Sequence, residues 1–251
     1  MLRSGRQEEK IETCIPGFDD LTGGGLPKSS TLLIMGETDG CKEVLARQIC
    51  WNVLMASGRV LYCTVDQPAE DVRQSMARGG WAVENHEKAG RLRFVDVYSS
   101  ARGVSASRTG SDSGTPPMTD GFLARTAMTM FFNDGIGFFP HGGFSAAPQI
   151  AVIDSLTPLL SSNEVTLQLL NILRDATRIA KVTGIGTIHS DALAGKNEQI
   201  VRSYADSIIR LTMMRDDHSK GLIELVKYAG QYRKGPYPVK TDEKGFEVIM
   251  G

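Results

Sequence analysis

The stretch Gly36-Glu37-Thr38-Asp39-Gly40-Cys41-Lys42-Glu43 decides the fold. Before it lies a short apolar run, Thr31 to Met35, which reads as a buried strand; after it Leu45, Ile49, Val53 and Ala56 share one helical face. Strand, glycine-bearing loop and helix in that order form the setting of a phosphate-binding loop, whose pattern is GxxxxGK followed by Ser or Thr. In such a loop backbone N–H groups converge on phosphate and the helix N-terminus adds positive potential. The lysine reaches the terminal phosphates and the hydroxyl ligates magnesium. Here Gly36 and Lys42 are in place, but Cys41 stands at the second glycine and Glu43 at the hydroxyl residue. Cys41 puts a side chain where backbone must pass close to phosphate. Glu43 puts a carboxylate where the ligand is already negative, although carboxylates are good magnesium ligands. Gly36, Thr38, Gly40, Cys41, Lys42 and Glu43 are the candidate nucleotide-binding residues of this loop.

Outward from the loop, apolar runs predict strands at Arg59 to Val65, Leu92 to Val97, Gln149 to Asp154 and Gly184 to His189. Helices are expected over Asp71 to Gly79 and behind a capping box of Ser161 and Glu164, where Val165, Leu169, Ile172, Leu173, Ala176 and Ile179 recur at helical spacing. Asp206 to Met213 and Leu222 to Lys227, joined by the charged turn Arg215 to Lys220, read as a hairpin, with an edge strand at Phe246 to Ile249. Strands alternating with helices, then antiparallel strands, predict an α/β fold: a mostly parallel sheet with helices on both faces and a C-terminal antiparallel hairpin. The rhythm breaks between Ser99 and Pro148. Ser99 to Thr119 is rich in Ser, Gly, Thr and Pro and is expected to be a mobile insertion, while Ala124 to Phe132 is expected to be a helix docked on the body. The 251 residues are expected to form one domain, residues 1–251, with residues 99–148 as an insertion within it.

Bulk properties remove several function classes. A formal charge of −1 gives no net electrostatic footprint for nucleic acid or acidic lipid. No apolar run reaches the roughly 18 residues of a membrane span, and the polar start, Met1 to Lys10, lacks a signal-peptide core. The four cysteines form no CxxC pair and lie near no histidine at ligand spacing, so a reduced, cytoplasmic protein without disulfides or zinc is expected.

Ile15-Pro16-Gly17-Phe18-Asp19-Asp20-Leu21-Thr22-Gly23-Gly24-Gly25-Leu26-Pro27 strongly resembles the segment that leads into the phosphate loop of KaiC-like ATPases of the RecA superfamily. The likeness continues through Thr64 to Asp71, Gly80-Trp81, Ile153-Asp154-Ser155-Leu156 and Tyr204 to Ile209, and leaves out only Ser99 to Pro148. The resemblance implies a RecA-like P-loop core and an ATP-dependent protein that assembles side by side, with nucleotide at the subunit boundary. It makes Lys42 the phosphate lysine and Asp154 the Walker B acid that holds magnesium through water. The glutamate pair that polarises the attacking water becomes Asp66 and Gln67, a degenerate pair, since Gln67 can hold a water but cannot take its proton. His189 stands where a polar residue can sense the terminal phosphate. Lys227 survives from a Lys-x-Arg-Gly element whose arginine, the one that reaches a neighbour's phosphate, is Ala229.

The joint changes at Cys41, Glu43, Gln67 and Ala229 favour a degenerate site, at most a weak ATPase, because losing one charge-stabilising group costs roughly 10²-fold or more in rate. The leading expectation is a regulatory or accessory protein acting through protein partners or self-association, with ATP and Mg as ligands only if the site works. The first alternative is an active ATPase with a rearranged metal site, Glu43 and Asp154 holding magnesium and Asp66 positioning water. The second is a DNA-recombination accessory protein. Ser190 to Gln199, the matching place for DNA, holds one lysine, Lys196, and no aromatic residue for stacking, so DNA is an unlikely partner.

Overall fold

β3 (Thr31–Gly36) is buried along its whole length, as a strand with neighbours on both sides and helices over both faces must be. The computed structural model describes residues 9–38, 41–101, 126–127, 129–131, 148–160, 162–192, 196–242 and 245–251. Before β3 come β1 (Lys10–Ile11), the short helix α1 (Phe18–Leu21) and β2 (Leu26–Pro27), with β1 and β2 paired antiparallel. Asp19 fixes this entry segment by accepting from the backbone N–H groups of Thr13 and Cys14 and from the Thr13 hydroxyl.

After the loop α2 runs Lys42–Met55, then β4 (Val60–Thr64), α3 (Ala69–Arg78), α4 (Glu84–Lys88), β5 (Leu92–Asp96) and α5 (Val97–Ala101). The chain continues through β6 (Ile150–Asp154), α6 (Asn163–Ala180), β7 (Thr183–His189) and α7 (Lys196–Tyr204). It closes with β8 (Ser207–Met214), β9 (Asp217–Lys227), β10 (Pro236–Asp242) and β11 (Gly245–Val248). Among the described residues the main sheet has nine strands in the order β11-β10-β9-β8-β3-β7-β6-β4-β5. β8, β3, β7, β6, β4 and β5 are parallel neighbours, and β8 to β11 are joined antiparallel. The expected α/β architecture is therefore the observed one.

Alternation along the strands divides the core into two layers. Leu32, Ile34, Tyr62 and Val152 meet Leu45, Ile49 and Val53 of α2 on one face. Leu33, Leu61, Ala151 and Ile153 meet Leu169, Leu170 and Leu173 of α6 on the other. The helical residues 126–127 and 129–131 add buried Ala127 and Phe131 to this second layer. The expected insertion from Ser99 to Thr119 lies outside the described residues beyond 101, as does the Gly-rich stretch Phe138 to Ala147.

Three boundaries differ from expectation. The cap of α6 is Ser162, whose hydroxyl accepts from the Val165 N–H at 3.2 Å, one residue later than the expected Ser161. The charged turn is tighter, since β9 already begins at Asp217. The antiparallel part has four strands, because β10 forms despite Pro236 and Pro238.

Candidate functional site

The carboxyl ends of the parallel strands and the start of α2 bring the loop residues to Asp154, Asp66 and His189. Gly36 ends β3 between His189 of β7 and Leu211 of β8. Cys41, the N-cap of α2, sits at φ 54°, ψ 10°, the left-handed region that favours glycine, so the backbone keeps a glycine-like conformation with a side chain on it. Its thiol lies 3.6 Å from the Thr241 hydroxyl and 3.7 Å from the His218 carbonyl, against the antiparallel strands. Burial, ahead of the other influences, pushes that thiol's pKa up. Thr38 donates its hydroxyl to Asp191 at 3.1 Å, and Gly40 lies outside the described residues.

Lys42 has a fully buried side chain. Its ammonium donates to the Glu37 carbonyl across the loop at 3.0 Å and lies 2.7 Å from Glu43 Oε1. The cation that a phosphate loop offers to its ligand is thus held by its own neighbour, at the position a magnesium-ligating hydroxyl would fill.

Asp154 is also fully buried and accepts from three donors. Oδ1 accepts from the Thr187 hydroxyl at 2.6 Å, and Oδ2 from the Tyr62 phenol at 2.7 Å and from Arg47 at 3.4 Å. Arg47 comes from the second turn of α2, where residues 45–50 are all buried, and its other terminal nitrogen donates to Ser75 of α3 at 2.9 Å. Burial works against the Arg47 charge, but Tyr62 and Asp154 outweigh it and raise its pKa above the ordinary range. Burial and the Asp154 charge likewise drive the Tyr62 phenol well up, so it stays a donor.

Asp66, two residues beyond β4, lies 3.9 Å from His189 Nε2, with half-buried Gln67 next to it. Burial first, then the charge of Asp154, raise the Asp66 pKa. The His189 N–H donates to Thr157 at 2.8 Å, while the buried ring atom Nδ1 has no partner among the described residues. Lys227 stands apart: it pairs with Ile208 at the amino end of β8, away from the loop, and its ammonium donates to the carbonyls of Ala205 and Arg202. Within one chain it closes the end of α7.

Magnesium needs near-octahedral oxygen ligands and keeps several waters. These residues do not fit it: Asp154 is filled by protein donors, and Glu43, at the position of the ligating hydroxyl, is engaged by Lys42. Sequence reasoning found Asp154 but missed Arg47, Tyr62 and Thr187. The available signal was Arg47 itself, a charge on the helix face that also carries Cys50, Trp51 and Leu54.

Residues 11–130 match the family model described as "ATPase: KaiC". The chain is 24% identical to the circadian clock protein KaiC3 of Synechocystis sp. over 96% of its own length and 46% of that protein. A UPF0273 protein of Pyrococcus furiosus is 31% identical over 96 residues, 38% of this chain and 39% of the relative. The chain therefore matches less than half the length of either relative. A solved KaiC-like protein from Pyrococcus horikoshii superposes with a TM-score of 0.72 at 22% identity, covering 97% of this chain and 100% of that one, a likeness of fold. Among the described residues no helix is long and apolar enough to cross a membrane.

Proposed function

We propose that this chain, a KaiC-like domain protein of the RecA superfamily, is a pseudo-ATPase that serves as a regulatory or accessory protein through protein partners. The observation that carries the reading is the internal neutralisation of the two groups nucleotide chemistry needs. Lys42 is buried against Glu43, and Asp154 is buried under Tyr62, Thr187 and Arg47. A phosphate entering the loop must compete with a carboxylate 2.7 Å from the lysine. The altered water-positioning pair adds to this, since Gln67 cannot accept a proton. What remains is a folded RecA-type scaffold, which on this reading acts by binding partners. Side-by-side self-association is one such use, in which the Lys227 end of one copy meets the loop end of the next.

A phosphate-release assay tests the reading. Turnover should lie far below the ~1 s⁻¹ of ordinary slow enzymes and should be the same in Lys42→Ala. Magnesium-dependent turnover near that rate, abolished by Lys42→Ala, would replace this reading with the rearranged-metal ATPase.

A further inference from the structure

We infer that Arg47 is the resident counter-cation of Asp154, a guanidinium doing by covalent attachment what a bound magnesium ion does at a Walker B acid. The inference deepens the pseudo-ATPase reading and rests on it for the assignment of Asp154.

The buried polar strip lies on one face of the sheet. Tyr62 of β4, Asp154 of β6 and Thr187 of β7 occupy neighbouring strands on the side covered by α2, whose core partners include Val60, Val152 and Ile185. An ionised carboxylate with no exposed surface there needs a positive charge as well as hydrogen bonds. Two hydroxyls supply dipoles, and among the described residues that donate to Asp154 only Arg47 supplies a charge. Its side chain is 9% exposed and its nitrogens reach Asp154 and Ser75 at once, tying α2 and α3 to the strand that carries the acid. Arginine suits the task because its charge is delocalised and permanent and its fork serves two acceptors. A magnesium ion at the same acid would carry waters and be exchangeable; a guanidinium is neither. The acid is thereby paired and ordered with no ligand, and whatever nucleotide the loop admits meets no metal at Asp154.

The test is a double-mutant cycle on the full chain: wild type, Arg47→Met, Asp154→Asn and the pair, followed by thermal unfolding. Each single change strands one buried polar group and should lower the melting midpoint by roughly 8 °C or more. The double change should lose clearly less than the sum, because neither charge is left alone. Arg47→Lys, which keeps a charge but not the fork, should fall between wild type and Arg47→Met. If Arg47→Met does not fold, recovery of folding on adding Asp154→Asn supports the inference equally, and failure to recover counts against it. Manganese titration followed by electron paramagnetic resonance, with Asp154→Asn as control, should show no Asp154-dependent site in the wild type. Strictly additive losses, or manganese binding that Asp154→Asn abolishes, would overturn the inference. ATP turnover without any divalent ion would refute the pseudo-ATPase reading and leave this one standing; additive losses would do the reverse.

Discussion

Changing Cys41 to Gly and Glu43 to Thr together should raise ATP affinity about ten- to a hundredfold. In the native chain Lys42 can serve a phosphate only by leaving the Glu43 carboxylate at 2.7 Å. Two unit charges 4 Å apart interact by about 4 kcal/mol at an effective dielectric of 20. The Glu43 side chain is 21% exposed, so water takes part of that, and about 1.4 to 2.8 kcal/mol of relief is a fair net figure. Glycine at position 41 keeps the φ of 54° without steric cost and reopens the close backbone approach. Without ATP the variant should be less stable, because buried Lys42 then keeps only the Glu37 carbonyl. Added ATP should raise its melting midpoint more than that of the wild type. Calorimetric titration of both proteins measures the gain. Hydrolysis should improve less than binding, since Gln67 and Ala229 are untouched. Equal affinity in two folded proteins would refute the reasoning, for the obstacle would then be the shape of the loop.

Tyr62→Phe removes one of three donors to a buried carboxylate and should cost about 1.5 to 3 kcal/mol in urea unfolding; a loss under about 0.5 kcal/mol would mean that the phenol is not needed there. Asp66 has a raised pKa, so the folded state holds its proton more tightly and stability falls as pH rises from the ordinary 3.8 through the raised value. Asp66→Asn should therefore melt no lower than wild type at neutral pH, and a clear drop would mean that burial and Asp154 repulsion do not govern this carboxylate. Asp217 is held down to about 2 by the Ser219 hydroxyl, then by Lys220 and the Ser219 N–H, so its contribution is complete above 3.8 and fades as pH falls through about 2. Nuclear magnetic resonance titration should place it there, and Ser219→Ala should move it upward.

The strand, loop and helix from Thr31 to Met55 were legible because local period and glycine spacing alone specify them. β10 was not, since Pro236 and Pro238 remove ladder donors and argue against a strand; what makes it one is pairing with β9 and β11, contacts made across the chain. Asp154 was legible as an acid ending a strand, but its use was not. Its donors come from 33, 92 and 107 residues away, so the difference between a metal ligand and a buried ion-pair partner appears only when the sheet brings Thr187, Tyr62 and Arg47 together. Glu43 shows the same limit at short range: as a residue type it suits magnesium, and only the inward turn of Lys42 gives it another partner. Lys227 matched a motif, yet register places it at the opposite end of the sheet from the loop.

Equilibrium binding of labelled ATP to the full chain, with and without magnesium, tests the central claim most directly. Two internally neutralised groups predict a Kd of about 1 mM or weaker, unchanged by magnesium and little affected by Lys42→Ala. Binding near 1 μM that requires magnesium and disappears in Lys42→Ala would contradict it.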